Sequence, residues 1–399
     1  MTKEMRETVR HYLLLQATMA FGISFISAFY VTFLLAKGLN LMEVNLVNFF
    51  FWSTLFVCEM PTGAFADVFG RKLSFVISCL LFGLGMFMYG FATSFWGFVV
   101  AEMVSAVGQT FANGAFQAWL IDRLRHQGFT GSFKKIFARK QLINNGVGIV
   151  SAIMGAFLGS INMSLPWFVG GAVMMSAGFV AMLYMREEDE FKRAKFSFID
   201  GAIRMCRIVA SSLSYAKSNT AVRFILIISV AQFFAIQAPN MQWQPLFGAY
   251  LVSQTSLGFV KAGISLCMMA GALIVSRVVG RISDERRVIS LVQISIGVGI
   301  AVTVLCQSFV PALGVFLLHE IPRGMLDPLK ESYLHDNIPQ DRRATIASCD
   351  SISHHIGGMI GLLVSGALAQ YLSLPTAWIV SGLVLVISAL LLIRNGHTT

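Results

Sequence analysis

Apolar runs of about 20 residues, the length at which an α-helix crosses the hydrocarbon core of a bilayer, recur along almost the whole of this 399-residue chain. Twelve can be read, at about 11–36, 43–66, 73–93, 95–121, 138–161, 164–185, 221–247, 255–277, 287–308, 311–334, 343–370 and 374–394. Only 13% of the residues are charged and 56% are hydrophobic, too apolar a balance for a water-facing surface. Segments of about ten residues with alternating polarity, which would mark a membrane β-barrel, do not occur. The expectation is an all-α polytopic membrane protein of 12 helices, surrounded by membrane lipids.

Lys and Arg fall in alternate connections. They stand before the first run (Lys3, Arg6, Arg10) and after the second (Arg71, Lys72), fourth (Arg123 to Lys140), sixth (Arg186 to Arg223), eighth (Arg277 to Arg287), tenth (Arg342, Arg343) and twelfth (Arg394). The opposite connections hold essentially Lys37 alone. Short basic loops stay on the cytoplasmic side, so both termini are expected there. The net charge of +10 then reflects topology and attraction to anionic headgroups rather than nucleic-acid binding. The scattered cysteines (Cys58, Cys79, Cys206, Cys267, Cys306, Cys349) form no CxxC pair, so neither a disulfide nor a metal cluster is expected. The first apolar run is too long for a signal-peptide core and reads as a spanning helix. Together these features suit a monomer in a bacterial inner membrane.

The one long connection, about 186–220, opens with REEDEFKRAK and continues with apolar Ile199, Ile203, Ile208 and Val209 among cationic Arg204, Arg207 and Lys217, the pattern of a helix lying on a membrane surface. It divides the chain into six-helix bundles at 1–185 and 221–399. Two pairs of stretches suggest internal duplication. Gly63-Ala-Phe-Ala-Asp67-Val-Phe-Gly70-Arg71-Lys72 follows the second run, and Gly280-Arg-Ile-Ser-Asp284-Glu-Arg286-Arg287 follows the eighth. Likewise NNGVGIVSAIMGAFLGSINMSLP (144–166) matches HHIGGMIGLLVSGALAQYLSLP (354–375).

These residues resemble the major facilitator superfamily over nearly the full chain. Its loop signature, roughly G-x-x-x-D-x-x-G-R-[KR], is met at Gly63, Asp67, Gly70, Arg71 and Lys72, with Val68 in place of the usual basic residue; the second copy lacks its second glycine. Gly63 is expected to let helices approach closely and Gly70 to allow a tight turn. The resemblance implies two pseudo-symmetric bundles and a cytoplasmic latch, in which Asp67 accepts charge-assisted hydrogen bonds from Arg342 or Arg343, assisted by Asp122. It also implies a cavity walled by helices one, four, seven and ten.

Charged groups at membrane depth are costly unless paired or wetted, so each is a functional candidate. The tenth run carries Glu320, Arg323 and Asp327, three and four apart and therefore on one helical side, with Lys330 continuing that side inward. Pro322, Gly324 and Pro328 loosen the same segment. Glu320 and Arg323 are candidates for the transport path, while Asp327, Lys330 and Glu331 also fit a structural ion network near the inner mouth. The fourth run offers Glu102, alone among apolar neighbours, with Asn113 and Gln117 further in. Glu102 is a candidate proton carrier or a partner for Lys261. Asp350 and His354 stand four apart in the eleventh run beside His355, and histidine changes charge near neutral pH. Run one repeats Phe21, Phe25, Phe29 and Phe33; run seven carries Gln232, Gln237, Asn240, Gln242 and Gln244. A wall of aromatics and amides suits an amphipathic organic solute.

No G-x-x-x-x-G-K-[ST] loop, GxSxG or HExxH occurs, which argues against ATP hydrolysis and enzyme chemistry and leaves no cofactor or metal to expect. The leading reading is a proton-coupled secondary transporter of a small organic molecule. The fifth run lacks the glycine-proline signature of many exporters, so export is favoured only slightly over uptake of a nutrient or metal chelate. A non-transporting receptor is disfavoured by the intramembrane charges.

Overall fold

The computed structural model describes residues 1–187, 219–251, 253–278, 280, 284–338 and 340–394. The surface helix expected in the 186–220 connection lies outside them. The described chain is helical: α1 (Lys3–Ser24), α2 (Tyr30–Ala36), α3 (Leu41–Phe69), α4 (Arg71–Phe91), α5 (Phe95–Ala112), α6 (Ala115–His126), α7 (Lys134–Ile161), α8 (Leu165–Tyr184), α9 (Thr220–Ala235), α10 (Gln237–Gly248), α11 (Gln254–Val278), α12 (Glu285–Leu305), α13 (Phe309–Asn337), α14 (Gln340–Tyr371) and α15 (Leu374–Arg394). Among the described residues, 11 helical segments are long and apolar enough to cross a membrane. The first sequence run is the exception to the twelve expected. It is split into α1 and α2 by turns over 25–29, where Ser27 N–H and Phe29 N–H bond back three residues to Ser24 and Ile26.

The ends of these helices follow their sequence. Thr2 caps α1 through its hydroxyl, Ser94 caps α5, Asn219 caps α9 and Asp284 caps α12, each satisfying a backbone N–H that the first helical turn leaves over. Gly70, at φ 103°, turns the chain between α3 and α4, a conformation that only glycine adopts without strain.

The chain forms two compact units. The first gathers Met1–Phe33, the described part of Phe50–Arg204, and Ser253–Ala262; the second gathers Leu34–Phe49 and the described parts of Met205–Val252 and Gly263–Thr399. The segments 34–49 and 253–262 thus depart from a simple division at the central connection.

Lipid tails are as apolar as leucine, so bundles in a bilayer hold together by close packing across small residues. In the first unit Gly83 of α4 faces the backbone of Gly171 in α8, where an added methyl would come within 2.9 Å of its carbonyl oxygen. In the second unit Gly297 of α12 faces Gly382 of α15 at 2.6 Å by the same measure. Gly83 and Gly297 are each the thirteenth residue of their helix, a structural echo of the duplication.

Gly324 sits where α13 crosses α11, and a methyl there would lie 2.6 and 2.7 Å from the carbonyl carbon and Cα of Met268. Backbone cannot yield as a side-chain tip can. Gly324→Ala is therefore expected to destabilise the second unit by about 1–3 kcal/mol, read as a lowered midpoint of thermal unfolding in detergent; an unchanged midpoint would show that the crossing is loose.

Candidate functional site

The interrupted helices locate the site region. Non-helical backbone at membrane depth persists only where protein or water satisfies it, and in transporters such breaks gather at the transport path. The first unit is broken at 25–29 and again between α5 and α6, where Asn113 ends one helix and Gly114, at φ 74°, begins the next. Near this second break the Ser74 hydroxyl donates to the Phe111 carbonyl at 2.7 Å. Asn113, held by Gln109 Nε2 at 3.2 Å, and Gln117 are both exposed. In the second unit a turn at Ile236 separates α9 from α10, and α13 carries Pro322 and Pro328 internally. The breaks fall in helices one, four and seven of the sequence reading, and internal prolines occur in helix ten and also in helix two, at Pro61.

In the first unit Glu102 is 7% exposed. It is not alone among apolar side chains: the Tyr30 hydroxyl donates to its Oε1 at 3.1 Å, and Tyr89 Oη lies 3.1 Å from Tyr30 Oη. Tyr89 in turn stacks on Trp167 with ring centres 4.1 Å apart. Two phenols from different helices thus serve one buried carboxylate, a pairing that no single-helix spacing reveals. Phe25, Phe29 and Phe33 are fully buried and act as packing.

The second unit holds two ionic clusters, named outer and inner after the topology that the Lys and Arg pattern predicts. In the outer one, Arg323 Nη1 lies 3.0 and 3.3 Å from the two oxygens of Glu320, and Arg323 Nη2 donates to Asn240 Oδ1 at 2.7 Å. Glu320 is 1% exposed. His319 Nε2 lies 3.7 Å from Glu320 Oε1. Gln237 is buried and turns back to donate to the Phe233 carbonyl at 3.1 Å, so its amide supports α10 rather than facing open space.

The inner cluster joins three helices. Lys330 of α13, 2% exposed, places Nζ 3.6 Å from Asp350 Oδ2 and 3.1 Å from His354 Nε2, both on α14. Its further neighbour is Gln232 Oε1 of α9 at 3.5 Å, and Gln232 Nε2 reaches Asp327 Oδ1 at 3.5 Å. His354 Nε2 also lies 3.1 Å from Asp350 Oδ2, Ser229 donates to Asp350 Oδ1, and Phe233 stacks on the His354 ring at 3.9 Å. One imidazole nitrogen cannot donate to the carboxylate and accept from the ammonium at once. Nε2 therefore keeps Asp350 when it carries a hydrogen and Lys330 when it does not. His355 is buried beside this cluster in sequence but does not share the face of His354.

At the opening of α4, Arg71 Nη1 pairs with Asp122 Oδ2 at 2.8 Å. Glu187 accepts from the backbone N–H of Arg71 and, at 3.1 Å, from that of Lys72, an acid at the positive end of a helix. Sequence reasoning missed Glu187, which lies in a charged run with nothing to single it out. Gly63 makes no close helix contact, since a methyl there would meet nothing within 4 Å; the expected close approach at that glycine is corrected. Asp67 is exposed near the end of α3. Asp284 instead caps its own helix, accepting from Arg287 N–H at 2.9 Å, while Arg286 lies 4.9 Å over the Phe224 ring and donates to the Leu392 carbonyl. Gly280, in the second copy of the loop signature, is exposed. The side chains of Arg342 and Arg343 lie outside the described residues.

Broken and proline-bearing spanning helices, buried ion networks and small-residue crossings repeated between units define a polytopic membrane transporter. The sequence profile of the Major Facilitator Superfamily matches residues 12–318 and 223–398. The chain belongs to that superfamily, and is a secondary transporter. It is 20% identical over 365 residues to an uncharacterized MFS-type transporter of Methanocaldococcus jannaschii, covering 90% of this chain and 91% of the relative. It is 22% identical over 328 residues to Multidrug resistance protein 1 of Bacillus subtilis, covering 79% and 77% respectively. Among solved structures it is similar to the nucleoside transporter NupG, at TM-score 0.77 and 12% identity over 98% of this chain and 100% of that one.

Proposed function

We propose that this chain moves a small amphipathic organic solute by alternating access, exchanging it for protons in the export direction. The observation that carries the reading is the inner cluster of Lys330, Asp350 and His354, three ionisable groups from two helices within hydrogen-bonding or ion-pairing distance of one another. Such a cluster in a bilayer is costly unless paired or wetted, which makes it a functional candidate by default, and histidine is the residue type that changes charge near neutral pH. Export is supported by the similarity to Multidrug resistance protein 1 of Bacillus subtilis. The loop corner built on Gly70, Arg71, Lys72 and Asp122, with Asp67, Gly280, Asp284, Arg342 and Arg343 as its further candidates, serves as the conformational latch in this reading. The two states it separates need differ by only a few kcal/mol. Both termini face the cytoplasm of a bacterial inner membrane, and the monomer is the working unit.

The test is a solute screen in proteoliposomes under an imposed pH gradient. Solute movement against its own gradient, driven by the pH difference and lost when that difference is collapsed, is expected. Movement indifferent to the gradient refutes proton coupling, and accumulation in the opposite direction makes the protein an importer of a nutrient or metal chelate.

A further inference from the structure

His319 has a fixed orientation and an unmet need. Its Nδ1 contacts the Phe316 carbonyl oxygen, and a carbonyl can only accept, so Nδ1 carries the hydrogen. Neutral imidazole then leaves Nε2 with a bare lone pair. That nitrogen is buried with no hydrogen-bond partner, in a ring held against Gly299 of α12, where a methyl would lie 3.4 Å from Cγ. It faces Glu320 Oε1 at 3.7 Å. Two lone-pair atoms stand opposed there with no proton between them. A buried acceptor left unmet is costly, and a proton on Nε2 gives it a partner in Oε1, against the cost of burying the imidazolium charge.

We propose that His319 and Glu320 together bind the transported proton, between Nε2 and Oε1. The inference rests on the proton-coupled reading and gives the coupling ion a site in the outer cluster. In the step itself one proton adds to Nε2, the Nδ1–H bond stays, and the resulting imidazolium donates to Oε1. The other charged and titratable groups acting here are Arg323 of the same helix, which bears on both residues, and the Cys267 thiol of α11, which interacts with Glu320. Oε1 is the shared atom, because it also accepts from Arg323 Nη1 at 3.0 Å. A carboxylate oxygen accepts more than one hydrogen bond, so the imidazolium and the guanidinium share Oε1, and proton arrival adds a second cation beside Glu320.

Nitrogen-15 spectra of histidine-labelled full-length protein in nanodiscs test this without a known solute. The His319 signal is assigned by its loss in His319→Gln, or in His319→Asn if the first variant does not accumulate. Nδ1 is expected to stay protonated while Nε2 passes from bare to protonated as the pH is lowered. In Glu320→Gln that midpoint is expected to be displaced by about one pH unit or more. An Nε2 that keeps one state throughout, or a midpoint that Glu320→Gln leaves in place, overturns the proposal. Vesicle transport separates the two readings. Wild-type protein that ignores a pH gradient overturns the functional reading, whereas gradient-driven wild type beside an equally gradient-driven His319→Gln overturns this inference alone.

Discussion

Lys330→Met is expected to abolish gradient-driven transport and to destabilise the second unit by about 3 kcal/mol, near the lower end of the cost of leaving one partner of a buried pair uncompensated. The lower end applies because the Asp350 side chain is 14% exposed and keeps Ser229 and His354 as hydrogen-bonding neighbours. The companion variant decides what the lysine does. Combining Lys330→Met with Asp350→Asn removes both charges, so stability is expected to recover by about 1–3 kcal/mol of coupling energy while transport stays lost. Recovery of transport along with stability would reduce the cluster to a structural brace. Denaturation in detergent and vesicle flux are the two measurements.

Glu320→Gln is expected to end concentrative transport while solute exchange down its own gradient continues. Glutamine keeps an oxygen for Arg323 Nη1, and Arg323 Nη2 keeps its 2.7 Å bond to Asn240, but the guanidinium loses its counter-charge, so the variant is also expected to be less stable by about 3 kcal/mol. What transport loses is the carboxylate that receives the proton-bearing imidazole of His319. Vesicles carrying the variant should equilibrate solute with or without a pH difference, and wild-type accumulation would place the coupling group elsewhere, with Asp350 and His354 the next to test. The two variants therefore ask different questions of two clusters, one about a salt bridge between helices and one about the carboxylate that faces a proton-binding imidazole.

How much of this was readable without coordinates depends on the geometry of each group. Glu320 with Arg323 and Asp350 with His354 are three and four residues apart, and helical spacing alone places such residues together. The resemblance carried the helix order and the loop corner. What crosses between helices was hidden: Lys330 reaches α14, the phenols of Tyr30 and Tyr89 converge on Glu102, and Glu187 closes the N-terminus of α4. Nothing in a linear string measures those distances. The break at Asn113 and Gly114 was missed for another reason, since a lone glycine within an apolar run is compatible with an unbroken helix until its φ is known. His319 stood in plain sight in the tenth run, but its meaning comes from which ring nitrogen meets a carbonyl. The apolar pattern announced twelve spans because it registers hydrophobicity rather than continuity, and it passed over the turns at 25–29.

The matched glycines Gly83 and Gly297 carry a consequence for how such a chain can change length. Inserting one residue between the start of either helix and its glycine would rotate everything beyond by about 100° and bring a bulkier neighbour to the place where two backbones touch. A change of length in α4 or α12 ahead of its glycine would therefore break the crossing, whereas the connecting loops are free of that constraint.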